Sequence, residues 1–513
     1  MRTRMIVLAA AACLPSLVAG QASAQTDSSV EDRLRRLEQR QEQTEQELKQ
    51  KDARIRELES QLQNAQVPAP ASPAGASPGS PGEAGPAQAV MAEPASKDKT
   101  SDFFQASQAE NLSSPMATPE RGSYLVGQTD MGSLSIGAYA LIRATEQLPA
   151  SQEFTDHLGR TYDVDTRQDI QFHRVMLHFR GWLYDPKFLY QLTVWTVNDT
   201  EQVRLVGGFN YLFSDAFSIG AGIGPNAGTR SMMGSHPLWM GHDRVMADEY
   251  FRPGFTSGVW ASGKVTSTLN YKFVVGDNFS TLGVNASEDT RALTYSGTLW
   301  WQPTTGEFGP QGAYGDFEMH DDLATRFGIS YVQSPKEDRA AQPSQSAPDT
   351  TQIRLGDSLL LFQADALAPG VTVNEAEVQL LSMDAGFKYR GFFLQTEGFY
   401  RTLSSFKPTL TSLPVPVGSI RDKGFYVQGA FFPVPEKLEL YAATSQIFPD
   451  KDAGFKDSSE YLVGANWYWT GTRYQRVNLQ VIDVHDSPAS STFGYYTAGM
   501  DGVTITLDVS MLF

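Results

Sequence analysis

The last thirteen residues alternate strictly between apolar and polar side chains. The apolar parity holds Val503, Ile505, Leu507, Val509, Met511 and Phe513, and the polar parity holds Thr504, Thr506, Asp508 and Ser510. Because successive side chains of a strand point to opposite faces, this segment is predicted to be a strand with one apolar and one polar face. An apolar strand that ends on an aromatic residue, in an exported chain, is typical of an outer-membrane β-barrel.

The same alternation recurs over residues 128–513. Val175, Leu177 and Phe179 alternate with Met176, His178 and Arg180, and Met383, Ala385 and Phe387 alternate in the same way with Asp384 and Lys388. A membrane strand needs about ten residues, and a strand together with its average connection takes roughly twenty-four. The length of this region therefore predicts about sixteen strands. The predicted fold class is all-β and transmembrane: an antiparallel barrel of about sixteen strands, preceded by a coiled-coil helix and a disordered linker.

The first 24 residues are predicted to be a signal peptide. Arg2 and Arg4 precede an apolar run, and Ala22-Ser23-Ala24 forms a small-x-small cleavage site. The alternative is a lipoprotein modified at Cys13, but the apolar run before that residue is short. Since Cys13 is the only cysteine, the exported chain is expected to have neither disulfides nor cysteine metal ligands.

Residues 30–64 are predicted to form a coiled coil. Apolar and polar positions from Val30 to Leu62 are spaced four, three, four, three, which is the seam of a left-handed supercoil. This spacing predicts self-association, with two or three helices both compatible. Residues 67–95 are rich in Pro, Ala, Gly and Ser and are predicted to be an extended linker.

Composition narrows the function. The net charge of −17 becomes −19 once the two arginines of the signal are removed, which argues against nucleic acid as a partner. No run of eighteen apolar residues follows the signal, although aromatic residues make up 11% of the chain. This combination is a poor match to a helical inner-membrane protein and suits a β-barrel, whose strands are only half apolar. No catalytic motif is found, so no enzyme activity, cofactor or metal is expected. Asp316, Glu318, Asp321 and Asp322 are candidates for a calcium site, but their spacing fits no calcium-loop motif and favours a solvated turn.

Five segments of the barrel resemble one porin family. They are Phe172–Tyr190, Glu249–Tyr271, Phe387–Arg401, Gly424–Tyr441 and Gly464–Leu479. Together, in this order, they are similar to the phosphate-selective porins O and P. The resemblance implies a trimeric, sixteen-stranded outer-membrane barrel through which small solutes diffuse, with a pore lined by arginine and lysine.

Seven cations on the polar parity are candidates for that pore lining: Arg143, Arg180, Lys264, Lys272, Arg326, Lys388 and Arg390. A water-filled lumen accepts charges that a lipid face rejects. The alternative for each is an ordinary ion pair with a neighbouring carboxylate.

Residues 226–263 are predicted to be a long loop. It carries Arg230, His236, His242, Arg244 and Arg252, which are candidates for a pore constriction if the loop folds into the barrel. The alternative is an external loop on the rim or at a trimer interface.

The leading functional hypothesis is a trimeric porin of the Gram-negative outer membrane for small hydrophilic solutes, including anions such as phosphate. Its partners are outer-membrane lipid, two further copies of the chain and the permeant solute, and its coiled coil lies in the periplasm. The alternative is a structural anchor whose coiled coil connects the barrel to the cell wall.

Overall fold

The computed structural model describes residues 123–197, 202–233, 238–279, 292–342, 352–491 and 494–513. The predicted signal peptide, coiled coil and linker, at residues 1–24, 30–64 and 67–95, lie outside these ranges.

Sixteen antiparallel strands form a closed barrel. Each strand pairs with its neighbours in the chain, and pairing of the last strand with the first closes the ring. The barrel strands are β2 (Gly132–Ser151), β5 (Gln168–Leu183), β6 (Asp185–Val197), β7 (Gln202–Ser214), β8 (Phe217–Pro225), β9 (Phe255–Lys264), β10 (Leu269–Gly276), β11 (Thr294–Trp301), β12 (Ala324–Asp338), β13 (Val373–Tyr389), β14 (Phe392–Pro408), β15 (Ser419–Val434), β16 (Leu438–Phe448), β17 (Ser458–Trp467), β18 (Gln475–His485) and β19 (Asp501–Leu512). The predicted strand number and antiparallel order are confirmed.

The remaining described elements are short. Strand β1 (Tyr124–Thr129) pairs with the start of β2, next to the end of β19, and β3 (Glu153–Thr155) pairs with β4 (Thr161–Asp163) in the connection that follows β2. The other elements are α1 (Arg230–Met233), α2 (Met246–Phe251) and the 3-10 turns Pro310–Gly312, Arg339–Ala341 and Lys451–Ala453. Among the described residues, no helix is both long enough and apolar enough to span a bilayer.

Alternation along the strands separates an apolar outer belt from a polar interior. In β19, Leu507, Met511 and Phe513 are 46%, 41% and 50% exposed on the outside, whereas Thr506 and Asp508 are fully buried on the inside. The facing predicted from the last thirteen residues is therefore confirmed. Closure also leaves no unpaired barrel edge within a membrane, because every strand has two neighbours.

The two ends of the barrel differ in their connections. At one end most turns are very short, as at Tyr184, residues 215–216 and residues 390–391. Tyr184 and Arg390 adopt positive φ angles, of 61° and 47°, which let the chain reverse within one or two residues. At the opposite end, here called the long-loop end, the connections include residues 226–254, 339–372 and 486–500.

Two predicted loop boundaries were wrong. Phe255–Lys264 forms β9, so the loop after β8 is residues 226–254; the outward residues Ser257, Ala261 and Gly263 are too small to produce an apolar alternation. Residues 334–351 are rich in Pro, Gln, Ser and Asp, a composition that predicts a long exposed loop, but Ser334–Asp338 extends β12 instead. That strand end is polar on both faces, and its pairing with β13 is irregular between Ser334 and Glu337.

Three connections fold into the interior. We name residues 226–254 the inner loop, residues 302–323 the turn insert and residues 352–372 the outer insert. One apolar core joins Phe251 of the inner loop, Phe308 of the turn insert and Leu361 of the outer insert to inward residues of β13–β18 such as Phe399 and Tyr441. The barrel interior is therefore packed with protein rather than lined by strands alone.

Candidate functional site

The inner loop lies against the inside of the barrel wall. Its backbone amides at Met246 and Ala247 donate to Glu460 Oε2 of β17 at 2.8 Å and to Ser445 Oγ of β16 at 2.8 Å. At its start, the Gly228 carbonyl accepts a hydrogen bond of 2.9 Å from Ser382 Oγ of β13. Of the two predicted placements, inside the barrel or outside on the rim, the structure has the first.

Arg143 is the centre of an ionic network between the inner loop and the wall. Its guanidinium donates to both carboxylate oxygens of Asp508 on the adjacent β19, at 2.7 and 2.8 Å, and to Asp243 of the inner loop at 2.6 Å. Arg174 of β5 donates to the other oxygen of Asp243 at 2.6 Å. The side chain of Arg143 is fully buried, so these bonds compensate for the loss of its hydration.

His242 extends this network. Arg476 Nε donates to its Nε2 at 3.1 Å, so the ring proton sits on Nδ1, 3.1 Å from Asp508 Oδ2. Burial, together with the nearby charge of Arg476, lowers the pKa of His242 to about 4, and the ring is therefore neutral at neutral pH. The Tyr495 hydroxyl accepts a hydrogen bond of 2.9 Å from the backbone amide of His242.

Two other cations of the inner loop, Arg244 and Arg252, have local partners. Arg252 forms two hydrogen bonds of 3.0 Å with Glu249, and Arg244 lies 3.8 Å from Asp248 and 4.2 Å from the ring of Trp239. These partners belong to the inner loop itself. His236 lies outside the described residues.

The inner loop meets the turn insert inside the barrel, although the two enter from opposite ends. Tyr314 donates its backbone amide to the Leu238 carbonyl at 2.8 Å. Arg230 donates to the Gly312 carbonyl, and its guanidinium lies 5.0 Å from the Tyr314 ring centre. These contacts connect segments separated by more than seventy residues and form a bridge across the interior.

A charged cluster fixes the turn insert at the short-turn end. His320 contacts Asp316 through Nδ1 and Glu307 through Nε2 at 2.8 Å, and these two contacts raise its pKa to about 9. Arg473 binds Glu318 with two hydrogen bonds of 2.8 Å. Burial acts to raise the pKa of Glu318, but the Arg473 charge outweighs it and lowers that pKa.

Asp316, Glu318 and His320 have ligand atoms within 4.8 Å of one another, a spacing that could hold a metal ion. Each, however, already has a partner within the protein: Asp316 accepts the Gly391 amide at 2.7 Å, and the other two make the contacts described above. Of the four acidic residues predicted to lie in a solvated turn, Glu318, Asp321 and Asp322 are exposed and Asp316 is buried.

The inner wall carries its charges unevenly. Among the described residues of β6–β11, the inward charged side chains are Arg204, Lys264 and Lys272, and none is a carboxylate. The inward charges of β12–β19 are mixed: Arg326, Asp384, Lys388, Glu397, Arg401, Asp422, Glu439, Glu460, Arg476 and Asp508. We name β6–β11 the cationic wall and β12–β19 the mixed wall.

The predicted pore-lining cations fall into three groups. The first group, Arg143, Arg326 and Lys388, is buried and bound. Arg143 binds Asp508, as described above. Arg326 binds Asp384 at 3.0 Å, and Lys388 donates to the Ala313 carbonyl at 2.7 Å. Lys272 is buried with its ammonium 5.8 Å from the Trp260 ring centre, while Arg180 and Lys264 are half-buried on the inner face. Arg390 lies exposed in the turn after β13, against the Tyr389 ring.

Four inward arginines were missed from the sequence: Arg174, Arg204, Arg401 and Arg476. A signal existed for Arg204, since it lies between Val203 and Leu205, which are 65% and 54% exposed on the outer face. Arg476 follows a turn and precedes Val477, so its parity could be determined from β18. Arg174 shares the parity of Met176, His178 and Arg180, so the same alternation could have identified it; the irregular pairing of β5 with β2 lies just before this residue.

Comparison with known proteins gave one family and several structures. The family model of phosphate-selective porin O and P matches residues 278–494. OmpT of Vibrio cholerae is 11% identical, covers 75% of this chain and 99% of its own, and has a TM-score of 0.43. The anion-selective porin from Comamonas acidovorans is 8% identical, with coverages of 74% and 98% and a TM-score of 0.41. The outer-membrane channel DcaP of Acinetobacter baumannii is 11% identical, with coverages of 75% and 99% and a TM-score of 0.41.

No curated protein matches the chain. The family match begins just after β10 and ends before β19, so it covers β11–β18 and the turn insert. Over residues 278–494, the chain matches the family model of phosphate-selective porin O and P, so the resemblance predicted from the sequence is confirmed for these residues.

Proposed function

We propose that this protein is a trimeric outer-membrane porin through which small hydrophilic solutes diffuse passively, with a preference for anions. The family match and the closed barrel with an apolar outer belt support the channel and its membrane. The observation that carries the anion preference is the cationic wall, whose inward charged side chains, as far as they are described, are all positive.

The solute path is proposed to follow this wall. Arg204 of this wall and Arg180 of the neighbouring β5 are half-buried inward side chains, whereas Lys388 and Arg401 of the mixed wall are almost fully buried. Positive side chains that water can reach along a low-dielectric wall attract anions and repel cations. Met232 and Met233 of α1 face this side with apolar contacts, packing in clusters with Trp195 and Val274.

Reversal potentials in a salt gradient across planar bilayers test this proposal. Wild-type protein is expected to give stepwise conductance in groups of three and a potential of anionic sign. An Arg180→Gln, Arg204→Gln double variant is expected to reduce that potential without loss of conductance. Lys451→Gln is the matched control, because Lys451 is an exposed loop residue paired with Asp457. A cation preference in wild-type protein would contradict the proposal.

The second candidate is a structural anchor, favoured by one observation. The inner loop and the turn insert meet inside the barrel, and such a bridge obstructs diffusion. If the barrel is an anchor, folded protein will insert into bilayers without conductance. Deletion of residues 30–62 then separates the two functions. Weakened cell-envelope integrity with unchanged permeability supports the anchor. Unchanged envelope integrity with altered permeability supports the porin.

A further inference from the structure

A cavity of about 290 Å³ lies among four connections at the long-loop end. Its lining comes from the β3–β4 hairpin, the outer insert, the β16–β17 connection and the β18–β19 connection. This volume is close to the lower limit for small-molecule sites. None of its lining residues belongs to the inner loop, so it is separate from the permeation site described above.

The walls of this mouth cavity are held by contacts within and between the connections. His157 binds Asp357 of the outer insert through its ring at 2.5 Å and through its backbone amide at 3.1 Å. Asp156 accepts the backbone amides of Leu158 and Arg160, each at 2.9 Å. The cavity is therefore preformed, which reduces the ordering entropy that a ligand must overcome.

Aromatic rings and close backbone contacts shape the cavity. Phe455 is buried and lies edge-on to the His157 ring, with 4.7 Å between the ring centres, and Phe154 stacks on Tyr162. Gly499 has a φ of 73°, and a Cβ there would come within 2.2 Å of the Phe154 ring. The apolar side of the cavity is thus fixed by ring packing.

The cavity also presents one cation and one anion. Lys456 and Asp486 both line it and both are exposed, and within the described part of the chain neither makes a hydrogen bond or an ion pair. The other charged residues in the lining already have partners. His157 and Asp357 bind each other, and Asp156 binds Leu158 and Arg160 within the β3–β4 hairpin. Two opposite charges beside two aromatic rings match a small molecule with an ammonium group, a carboxylate and an apolar side chain.

We propose that the mouth cavity binds a free α-amino acid with an apolar side chain. Asp486 accepts its ammonium group, Lys456 donates to its carboxylate, and Phe455 and Phe154 contact its side chain. A simple anion would meet one lysine among three aspartates, and a simple cation would leave Lys456 without a partner. Charge-assisted hydrogen bonds to both ends of the ligand satisfy both residues.

Calorimetric titration of the purified full-length protein with L-leucine tests this proposal. Wild-type protein is expected to bind L-leucine saturably, and Asp486→Asn and Lys456→Gln are each expected to weaken binding about tenfold or more. Lys451→Gln, in the same connection as Lys456, is the control and should bind as wild type does. L-Leucinamide and N-acetyl-L-leucine, which each lack one of the two charges, should bind more weakly.

Absence of saturable binding, equal binding by Asp486→Asn, or binding of glucose in place of L-leucine would overturn the inference. Circular dichroism of the same preparations checks that the variants keep the β-sheet content of wild-type protein, and their planar-bilayer conductance is measured separately. The outcome is independent of the proposed function: silent bilayers with intact L-leucine binding would reject the porin, and normal conductance without binding would reject only the amino-acid site.

Discussion

The cationic wall and the mixed wall of this barrel are built from the same alternating strands but differ in what covers them. The mixed wall carries many inward carboxylates, among them Asp384, Glu397, Asp422, Glu439, Glu460 and Asp508, and the inserted segments use several of them as hydrogen-bond acceptors. The cationic wall has no described inward carboxylate. The comparison teaches that buried carboxylates hold the inserts against the mixed wall. Because the described part of the cationic wall lacks such carboxylates, its inward positive charges are not neutralised by carboxylates of the same wall.

The largest effect is expected where the inner loop is fixed to the barrel. Arg143→Met leaves Asp508 and Asp243 buried without their main cation, so the free energy of unfolding should fall by about 3–5 kcal/mol. Guanidinium unfolding of protein refolded in lipid vesicles measures this change. Lys451→Met is the control and should alter stability by less than about 0.5 kcal/mol. Equal midpoints for both variants would contradict the anchoring role of Arg143.

The bridge between the inserts is expected to limit permeation. Tyr314→Ala removes a buried ring that packs on Arg230, and should cost about 3 kcal/mol of stability. It should also raise single-channel conductance, because the contact between the inner loop and the turn insert is weakened. Leu413→Ala, in the exposed β14–β15 connection, should change neither property. A destabilised Tyr314→Ala channel of wild-type conductance would show that solutes bypass the bridge.

The turn insert should loosen at alkaline pH. His320 has a pKa of about 9, above its usual 6.5, because Asp316 and Glu307 favour its charged form. Its stabilisation is therefore complete below pH 6.5 and is lost as pH rises through 9. Given partial solvent screening, about 1 kcal/mol is at stake. The unfolding midpoint should drop between pH 7 and 10 in wild type and less in His320→Gln; identical pH profiles would argue against this contribution.

The smallest effect is expected at Arg390, which lies exposed in a turn and outside the wall strands. Arg390→Gln should change the free energy of unfolding by less than about 0.5 kcal/mol and leave the reversal potential as in wild type. A clear loss of anion preference would instead show that this turn borders the solute path. The measurement therefore sharpens the boundary of the cationic wall.

Much of the barrel could be predicted because the membrane imposes a period of two on every strand. The outward apolar residues of β19 and the inward placement of Arg143 follow from that period. Strand ends were less predictable where the period weakens, as in Ser334–Asp338, which is polar on both faces, and in β9, whose outer residues are small. Within the site, parity identified inward cations but could not identify Asp243 as a partner of Arg143, since that contact joins residues 100 positions apart.

The sequence alone therefore determined the strands, their facing and the approximate strand number, because local alternation must match lipid outside and a polar interior within each ten-residue strand. It also predicted the family over residues 278–494. Only the tertiary structure decided that the inner loop lies inside, that it meets the turn insert, and that Arg143 and Arg326 of the predicted pore cations are buried in ion pairs. Those features depend on contacts between distant segments, and no local pattern of residues encodes which carboxylate will face which arginine.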